Sequence, residues 1–340
     1  MKLLIVGSNK IEAIENAYVE HLKDKCEINF FNAHGTFLDY YHKNLFNKLV
    51  YRTGLSTILN KINATLLKEI NKIKPDVIWV FKGMEIFPKT LKKIKELGIT
   101  LVNYNADHPF EYMSKGSGNK NVFEGIKYYH HHFSYSQQIV ERIKKEYSIS
   151  SSWLPFGYFT AIPPPVNRET IKNKICFIGN PDKERAKIID LLLEHDIPVD
   201  VYGNGWNKFI TSNKNLTIFG PVYTKEFNTT AQKYRIQLNV FRPHNIGSHN
   251  MRTFEMPALG CIMLAPSSKE HLELFGNGKE AFYYENEIDL IEKCTYIMTL
   301  FVSEVKTIQM NAYNRSISSN YSYKDRAAQV LKIVAKIKND

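Results

Sequence analysis

Asn250, Arg252 and Glu255 are placed where side chains could hold a ligand, between a polar loop and an apolar run. Across 245–265 the chain passes from small and polar residues to Met251, Phe254 and Ala258 at helical spacing, then to the run Cys261–Ala265. The pattern predicts a loop, a short helix capped by Asn250 and a buried strand. Such a helix start aims free amide N–H groups and partial positive charge at the space over Gly247–Met251, which suits an anion. Arg252 adds a cation. Glu255, one turn along, can accept hydrogen bonds from two adjacent hydroxyls, as acidic residues do for ribose in dinucleotide folds. Phosphate and ribose together describe a nucleotide, although the same spacing also fits an amphipathic helix with a solvated Arg and Glu. Pro257 falls inside this helix and removes one of its hydrogen bonds, so a kink is expected.

A second group is Asp107, His108 and Glu111, which follows the apolar run Ile99–Tyr104. Two carboxylates and an imidazole at the carboxyl end of a strand can bind a hydroxyl or take its proton. Two other strand-end loops converge on that place if the strands are parallel: Ser8 and Asn9 after the opening run, and Lys82 and Gly83 after the run 75–81. An Asp-x-Pro turn with a surface histidine is the plainer alternative. His130-His131-His132 invites a metal reading, but neighbours on a strand point to opposite faces and cannot all ligate one ion, so packing is expected.

The elements that must position these residues are α/β units. In the first half, strands are expected at 2–6, 27–31, 75–81, 99–104, 128–136 and 152–156, and a basic amphipathic helical stretch at 37–73, read as core packing with a membrane-facing role as the alternative. The segment 156–165, with its three consecutive prolines, breaks all periodicity and reads as a stiff linker. A second series then begins at 174. Its strand-to-helix turns carry Gly179 and Asn180 leading to Arg185, then Gly203 in a Gly-x-Gly, then Gly220, Pro221 and Val222. The Gly-x-Gly lacks the third glycine of a dinucleotide fingerprint, and is read as a close backbone approach or a tight turn. Helices are expected from Ile288 and, last, over 323–338, where Val330, Ile333 and Val334 need a partner.

The 340 residues suit two domains. A formal charge of +11 spread over many lysines favours phosphorylated ligands or an anionic membrane surface, and no nucleic-acid reader motif is visible. Cys26, Cys176, Cys261 and Cys294 are far apart and read as reduced, buried small hydrophobes. The first apolar run is too short for a signal peptide and none later is long enough to span a bilayer, so a cytoplasmic protein is expected, with peripheral contact at the inner membrane face as a further expectation.

Phe81-Lys-Gly83, Asp107-His-Pro-Phe110, Leu154-Pro-Phe-Gly-Tyr158, Phe177-Ile-Gly-Asn180, Tyr202-Gly-Asn-Gly-Trp206, His249-Asn-Met-Arg-Thr-Phe-Glu255 and Tyr323-Lys-Asp-Arg326 make the chain resemble the spore maturation protein CgeB family of GT-B glycosyltransferase-like proteins. The resemblance implies two Rossmann-like, doubly wound domains facing each other across a cleft. The first spans 1–160 and receives a terminal helix from 321–340; a linker covers 161–173; the second spans 174–320. It further implies a nucleotide-sugar donor, UDP-linked, at Gly179, Asn180, Arg185, Gly203, Gly220, Pro221, Val222, His249, Asn250, Met251, Arg252 and Glu255. A saccharide, lipid-linked glycan or protein acceptor would lie near Ser8, Asn9, Lys82 and Gly83, with Asp107, His108 and Glu111 as catalytic residues and neither metal nor cofactor. Glu255 matches the second Glu of the Glu-(seven residues)-Glu motif of retaining GT-B enzymes, and Gly247 stands where their first Glu would be. Arg185 and Lys187 loosely match their phosphate-binding pair. A GT-B-shaped protein without catalysis and a nucleotide-sugar epimerase are the alternatives.

Overall fold

The apolar runs of the first half form six strands, β1 (Lys2–Val6), β2 (Glu27–Phe31), β3 (Val77–Phe81), β4 (Thr100–Asn105), β5 (His131–Ser134) and β6 (Ser150–Trp153). The computed structural model describes residues 1–10, 13–111, 118–165, 171–242 and 247–339. The strands pair in parallel in the order β2-β1-β3-β4-β5-β6. A parallel sheet needs cover on both faces, and β3 is buried along its whole length. Alternation divides its residues between two cores: Val77, Trp79 and Phe81 pack with Tyr18 of the helix Ile14–Leu22, whereas Ile78 and Val80 pack with Ile62, Leu66 and Leu91 of the helices Ile58–Ile73 and Pro88–Glu96.

The first core is closed by the terminal helix Tyr323–Asn339, whose Tyr323, Ala327, Val330 and Val334 are buried in it. Tyr323 meets Tyr18 edge-on at 5.7 Å between ring centroids, Gln329 donates to the Trp153 carbonyl at 2.9 Å, and Lys338 reaches Asp76 at 2.6 Å. The chain therefore divides into Met1–Pro155 with Tyr323–Asp340, and Phe156–Ser322.

In the second unit β7 (Lys172–Ile178), β8 (Val199–Tyr202), β9 (Leu216–Phe219), β10 (Tyr234–Leu238), β11 (Ile262–Pro266) and β12 (Phe282–Tyr284) form a parallel sheet in the order β12-β11-β10-β7-β8-β9. Each sheet has one place where the strand order reverses: between β1 and β3, and between β7 and β10. Open α/β sheets bind ligands at the carboxyl ends of strands flanking such a point.

Several expectations are corrected. Residues 156–160 belong to the second unit, because the Phe156 N–H donates to His249 Nε2 and the Tyr158 N–H to the Tyr321 carbonyl. The proline segment is no free spacer: Ile162 donates to the Ala258 carbonyl, Gln232 to the Pro163 carbonyl, and Pro164 packs so close to Gly260 that a Cβ there would lie 2.6 Å from it. Of the proposed linker, 166–170 lie outside the described residues, and the strand expected at 174 starts at Lys172. The stretch 37–73 is not continuous. It breaks into Ala33–His42, Leu45–Arg52 and Ile58–Ile73, because Asn44 caps a new helix and Gly54, at φ 78°, stops it. The single helix expected from Ile288 breaks too, into Glu287–Thr299 and Val302–Ser318, where Glu304 takes the Phe301 N–H.

His131 and His132 are buried within β5, His131 bonding the Ser150 hydroxyl and His132 donating to the Ile126 carbonyl. Different partners on each ring give packing roles, and no three His, Cys, Asp or Glu side chains converge as metal ligands among the described residues. All four cysteines are free and buried. Among the described residues no helix is long and apolar enough to cross a membrane.

Candidate functional site

Each unit places polar side chains at its reversal point. In the second, β7 leads into Gly179 and Asn180, β8 into Gly203, β9 into Gly220–Val222 and β10 towards Asn250 and Arg252, all at the carboxyl edge of one sheet. Gly203 sits so close to Gly179 that a Cβ would lie 2.3 Å from the Gly179 carbonyl oxygen, so the close approach is of backbone to backbone. The Trp206 indole donates to that same oxygen at 3.0 Å, and the Asn180 side chain accepts the Asn204 N–H at 2.9 Å.

Arg185 is aimed into this edge. Its guanidinium donates to the carbonyls of Asn180 at 2.9 Å and Val240 at 3.4 Å and lies over the Phe177 ring. Burial lowers it to about 10, opposed by Asp182 and assisted by the charges of Arg242 and Arg252. Arg252 in turn donates to the Ile178 carbonyl at 3.4 Å, stacks on Phe227 at 4.3 Å and pairs with Glu255. Arg185 thus feels the positive charges of both Arg242 and Arg252 at one sheet edge, with Asp182 beside Arg185 and Glu255 beside Arg252, an arrangement that can attract an anion. Lys187 faces away and pairs with Glu287.

The helix carrying Arg252 is Arg252–Ala258. The residue flanking the helix is Met251, which has no side-chain cap. Asn250, expected as the cap, lies one residue earlier, accepts the Thr253 N–H at 3.3 Å and donates to Asn239 at 2.6 Å. The helix stops one residue after Pro257, with Gly260 at φ 62°, so the proline marks an end where a kink was expected. Met251 is partly buried in the first turn. His249 is fully buried: Nδ1 bonds Glu270 at 2.6 Å, Nε2 accepts from Phe156, and Ser248 donates to the same carboxylate. With both ring nitrogens engaged, His249 anchors the loop and is not placed to touch a donor. Of the opening stretch, Asn245 and Ile246 lie outside the described residues.

In the first unit a cavity of about 320 Å³ opens at the ends of β1, β3 and β4. Ser8, Lys82 and Asp107 line it; Asn9, Gly83, His108 and Glu111 do not. Lys82 pairs with Asp107 at 2.5 Å, from a left-handed backbone at φ 57° followed by Gly83 at φ 95°. His108 is turned to its own loop, accepting the Phe110 N–H, with Glu111 4.0 Å away. The cavity adds three residues that the sequence pattern did not single out. Glu15 accepts the Ser8 N–H at 2.7 Å; burial raises its pKa despite that bond and the nearby Lys82 and His34. His34 Nδ1 meets the buried Glu85 at 2.7 Å. The signal available was positional: His34 and Glu85 follow the ends of β2 and β3. A more open depression of about 450 Å³ on the outer side of the helix Lys183–Glu194 includes no strand-end glycine and none of these groups.

Residues 184–332 match a family model described as glycosyl transferase-like. That match covers less than half of the chain. Solved structures with the same fold include HepE from Anabaena in complex with UDP-glucose, at 14% identity and TM-score 0.68 over 99% of this chain and 100% of that one. A glycosyltransferase from Rickettsia africae is similar at 15% identity and TM-score 0.67 over 99% and 98%. The UDP-GlcNAc 2-epimerase of Neisseria meningitidis bound to UDP-GlcNAc is similar at 14% identity and TM-score 0.59 over 99% and 100%. The two parallel six-stranded sheets with their helices are thus the α/β GT-B fold. No curated protein matches the sequence significantly.

Proposed function

We propose that the protein is a glycosyltransferase of the CgeB-like type that moves a sugar from a nucleoside diphosphate, UDP, to a hydroxyl acceptor. The observation that carries this is the cluster of Arg185, Arg242 and Arg252 beside Glu255 at the reversal point of the second sheet, within the matched domain. The arginines offset the charge of a diphosphate, which asks for no metal ion, and Glu255 accepts the ribose hydroxyls. The acceptor, a saccharide, lipid-linked glycan or protein, sits in the cavity of the first unit. In the reaction the bond from the sugar's anomeric carbon to the diphosphate breaks, a bond to the acceptor oxygen forms, and the acceptor's proton passes to a base. Asp107 binds the acceptor hydroxyl or takes its proton, and the His34–Glu85 pair is the second base available in the same cavity.

Calorimetry with uridine, UMP and UDP tests the donor half. Glu255→Gln gives up a charged acceptor worth about 1.5 to 3 kcal/mol, so affinity for all three falls roughly ten- to a hundredfold. Arg252→Ala weakens UDP more than uridine, because its partner is phosphate. Unchanged UDP affinity in both folded variants refutes the site. Release of UDP from a panel of UDP-sugars tests turnover. Asp107→Asn, and then His34→Gln, are expected to cut release about a hundredfold or more while UDP affinity stays within about twofold. The epimerase reading, suggested by the Neisseria neighbour, predicts instead that the donor sugar is inverted with no acceptor added.

A further inference from the structure

The short helix Leu45–Arg52 is unlike every other helix of the first sheet. None of its residues is buried, and Leu45, Phe46 and Leu49 are 82%, 70% and 61% exposed, followed after the turn by Leu55 at 77%. The next helix shows what the core on this face of the sheet takes instead: Ile58, Ile62, Leu66 and Ile70 are buried with Ile78 and Val80. The helix is tethered on its other side, where Tyr51 meets Phe37 and Tyr41 and the Asn47 amide donates to the Tyr40 carbonyl. That tether fixes which side faces out. At 100° per residue, Leu45, Leu49 and Phe46 form one stripe, with Lys48 and Arg52 along one edge and Lys43 just before it. No acidic residue occurs in the sequence between Asp39 and Glu69, and none of the three cations pairs with a carboxylate among the described residues.

We propose that this helix is a docking surface for an anionic lipid bilayer, lying in the interface with Leu45, Phe46 and Leu49 below the headgroups and Lys43, Lys48 and Arg52 on the phosphates. An apolar stripe with cations along its edge is what an interfacial helix requires, since long basic side chains lay their stems on the apolar surface and raise their charges to the headgroup layer. A second copy of the chain fits less well. A stable dimer buries about 800 Å² on each partner, more than one side of so short a helix offers, and a two-fold contact would set the cations of one copy against those of the other. The inference does not depend on glycosyl transfer. Where both hold, the acceptor class it favours is a lipid-linked one.

Flotation of the full chain with vesicles tests it. Binding is expected to vesicles of phosphatidylglycerol and phosphatidylcholine, and to be at least about tenfold weaker to phosphatidylcholine alone, since each cation near the surface contributes roughly fivefold. The exposed double variant Phe46→Ser with Leu49→Ser should lose at least about tenfold on the anionic vesicles with an unchanged thermal midpoint. Lys43→Gln with Arg52→Gln should lose more than tenfold and become markedly less sensitive to salt, with Lys48 retaining the remainder. Undiminished binding by the serine variant, equal binding to both lipid mixtures, or no binding at all overturns the proposal. So does a dimer in sedimentation that the serine variant dissolves, which would assign the helix to a second copy.

Discussion

Lowering the pH from about 6.5 towards about 4 is expected to remove a substantial part of the stability of the first unit. His131 and His132 are 2% and 3% exposed. Burial pulls His131 down to about 4, assisted by the charges of His132 and Lys144, and burial pulls His132 to about 4 against its bond to the Ile126 carbonyl. In the second unit burial does the same to His271, again to about 4. An unfolded imidazole binds its proton near 6.5. Between 6.5 and about 4 the unfolded chain therefore holds more protons than the folded one, and stability is complete above that window and lost as pH falls through it. Each histidine taken alone is worth about 3 kcal/mol across the window, against a total of about 5 to 15 kcal/mol for a domain. Glu15, whose pKa burial raises, works in the opposite sense and offsets part of the loss.

With two such histidines to one, the first unit should go first. Urea unfolding followed by tryptophan emission resolves this: in a Trp206→Phe variant the remaining indoles, Trp79 and Trp153, both report on the first unit. The midpoint should fall steadily below about pH 6.5, and His132→Gln should flatten the slope by about one proton. A midpoint constant down to about pH 4.5 would show that these rings take up protons without cost.

Gly203→Ala is expected to cost about 3 to 5 kcal/mol and to abolish UDP binding, the largest effect of any single methyl group in the second unit. The new Cβ would meet the Gly179 carbonyl oxygen at 2.3 Å and its carbon at 2.8 Å. These are backbone atoms, so no rotamer change relieves the contact. Relief requires the loop after β7 to move away from the loop after β8, and three bonds hold it in place: Gly179 N–H to the Tyr202 carbonyl, the Trp206 indole to the Gly179 carbonyl, and Asn204 N–H to Asn180. Arg185 is anchored to the Asn180 carbonyl, so moving that loop moves the guanidinium away from its place beside Arg252. Gly205→Ala, at φ 90° with open space around it, should cost only about 1 kcal/mol and leave UDP binding intact. Urea midpoints and UDP calorimetry on the pair check this. Equal stability of both variants with the parent would mean that the loops yield freely.

The two sheets were legible because buried parallel strands read as short apolar runs closed by Gly or Asn, as Val77–Phe81 and Ile175–Ile178 do. The placement of Arg252 and Glu255 together was legible for a different reason: loop and helix lie within one short stretch. Glu15, His34 and Glu85 were not, since they come from three separate segments and meet only through the register of β1 with β2 and β3. His249 misled in the reverse direction. A histidine beside an N-cap looks like a ligand contact, and nothing local reveals that Glu270 and the Phe156 amide occupy both its nitrogens. The breaks within 37–73 turned on Asn44 and Gly54, weak signals inside a strong helical periodicity.

The terminal helix gives this fold an order of events during synthesis. Until residues 323–339 leave the ribosome, one face of the first sheet, with Leu3, Trp79 and Val102, lacks part of the cover that Val330 and Val334 provide. The second unit is encoded between, and its strands are all translated while that face still waits. A nascent chain thus carries an incomplete first unit, with apolar surface left uncovered for the time taken to translate the intervening residues. Holdase chaperones would find their binding site on that sheet face, and synonymous codons that slow elongation after Ser322 would prolong the exposure.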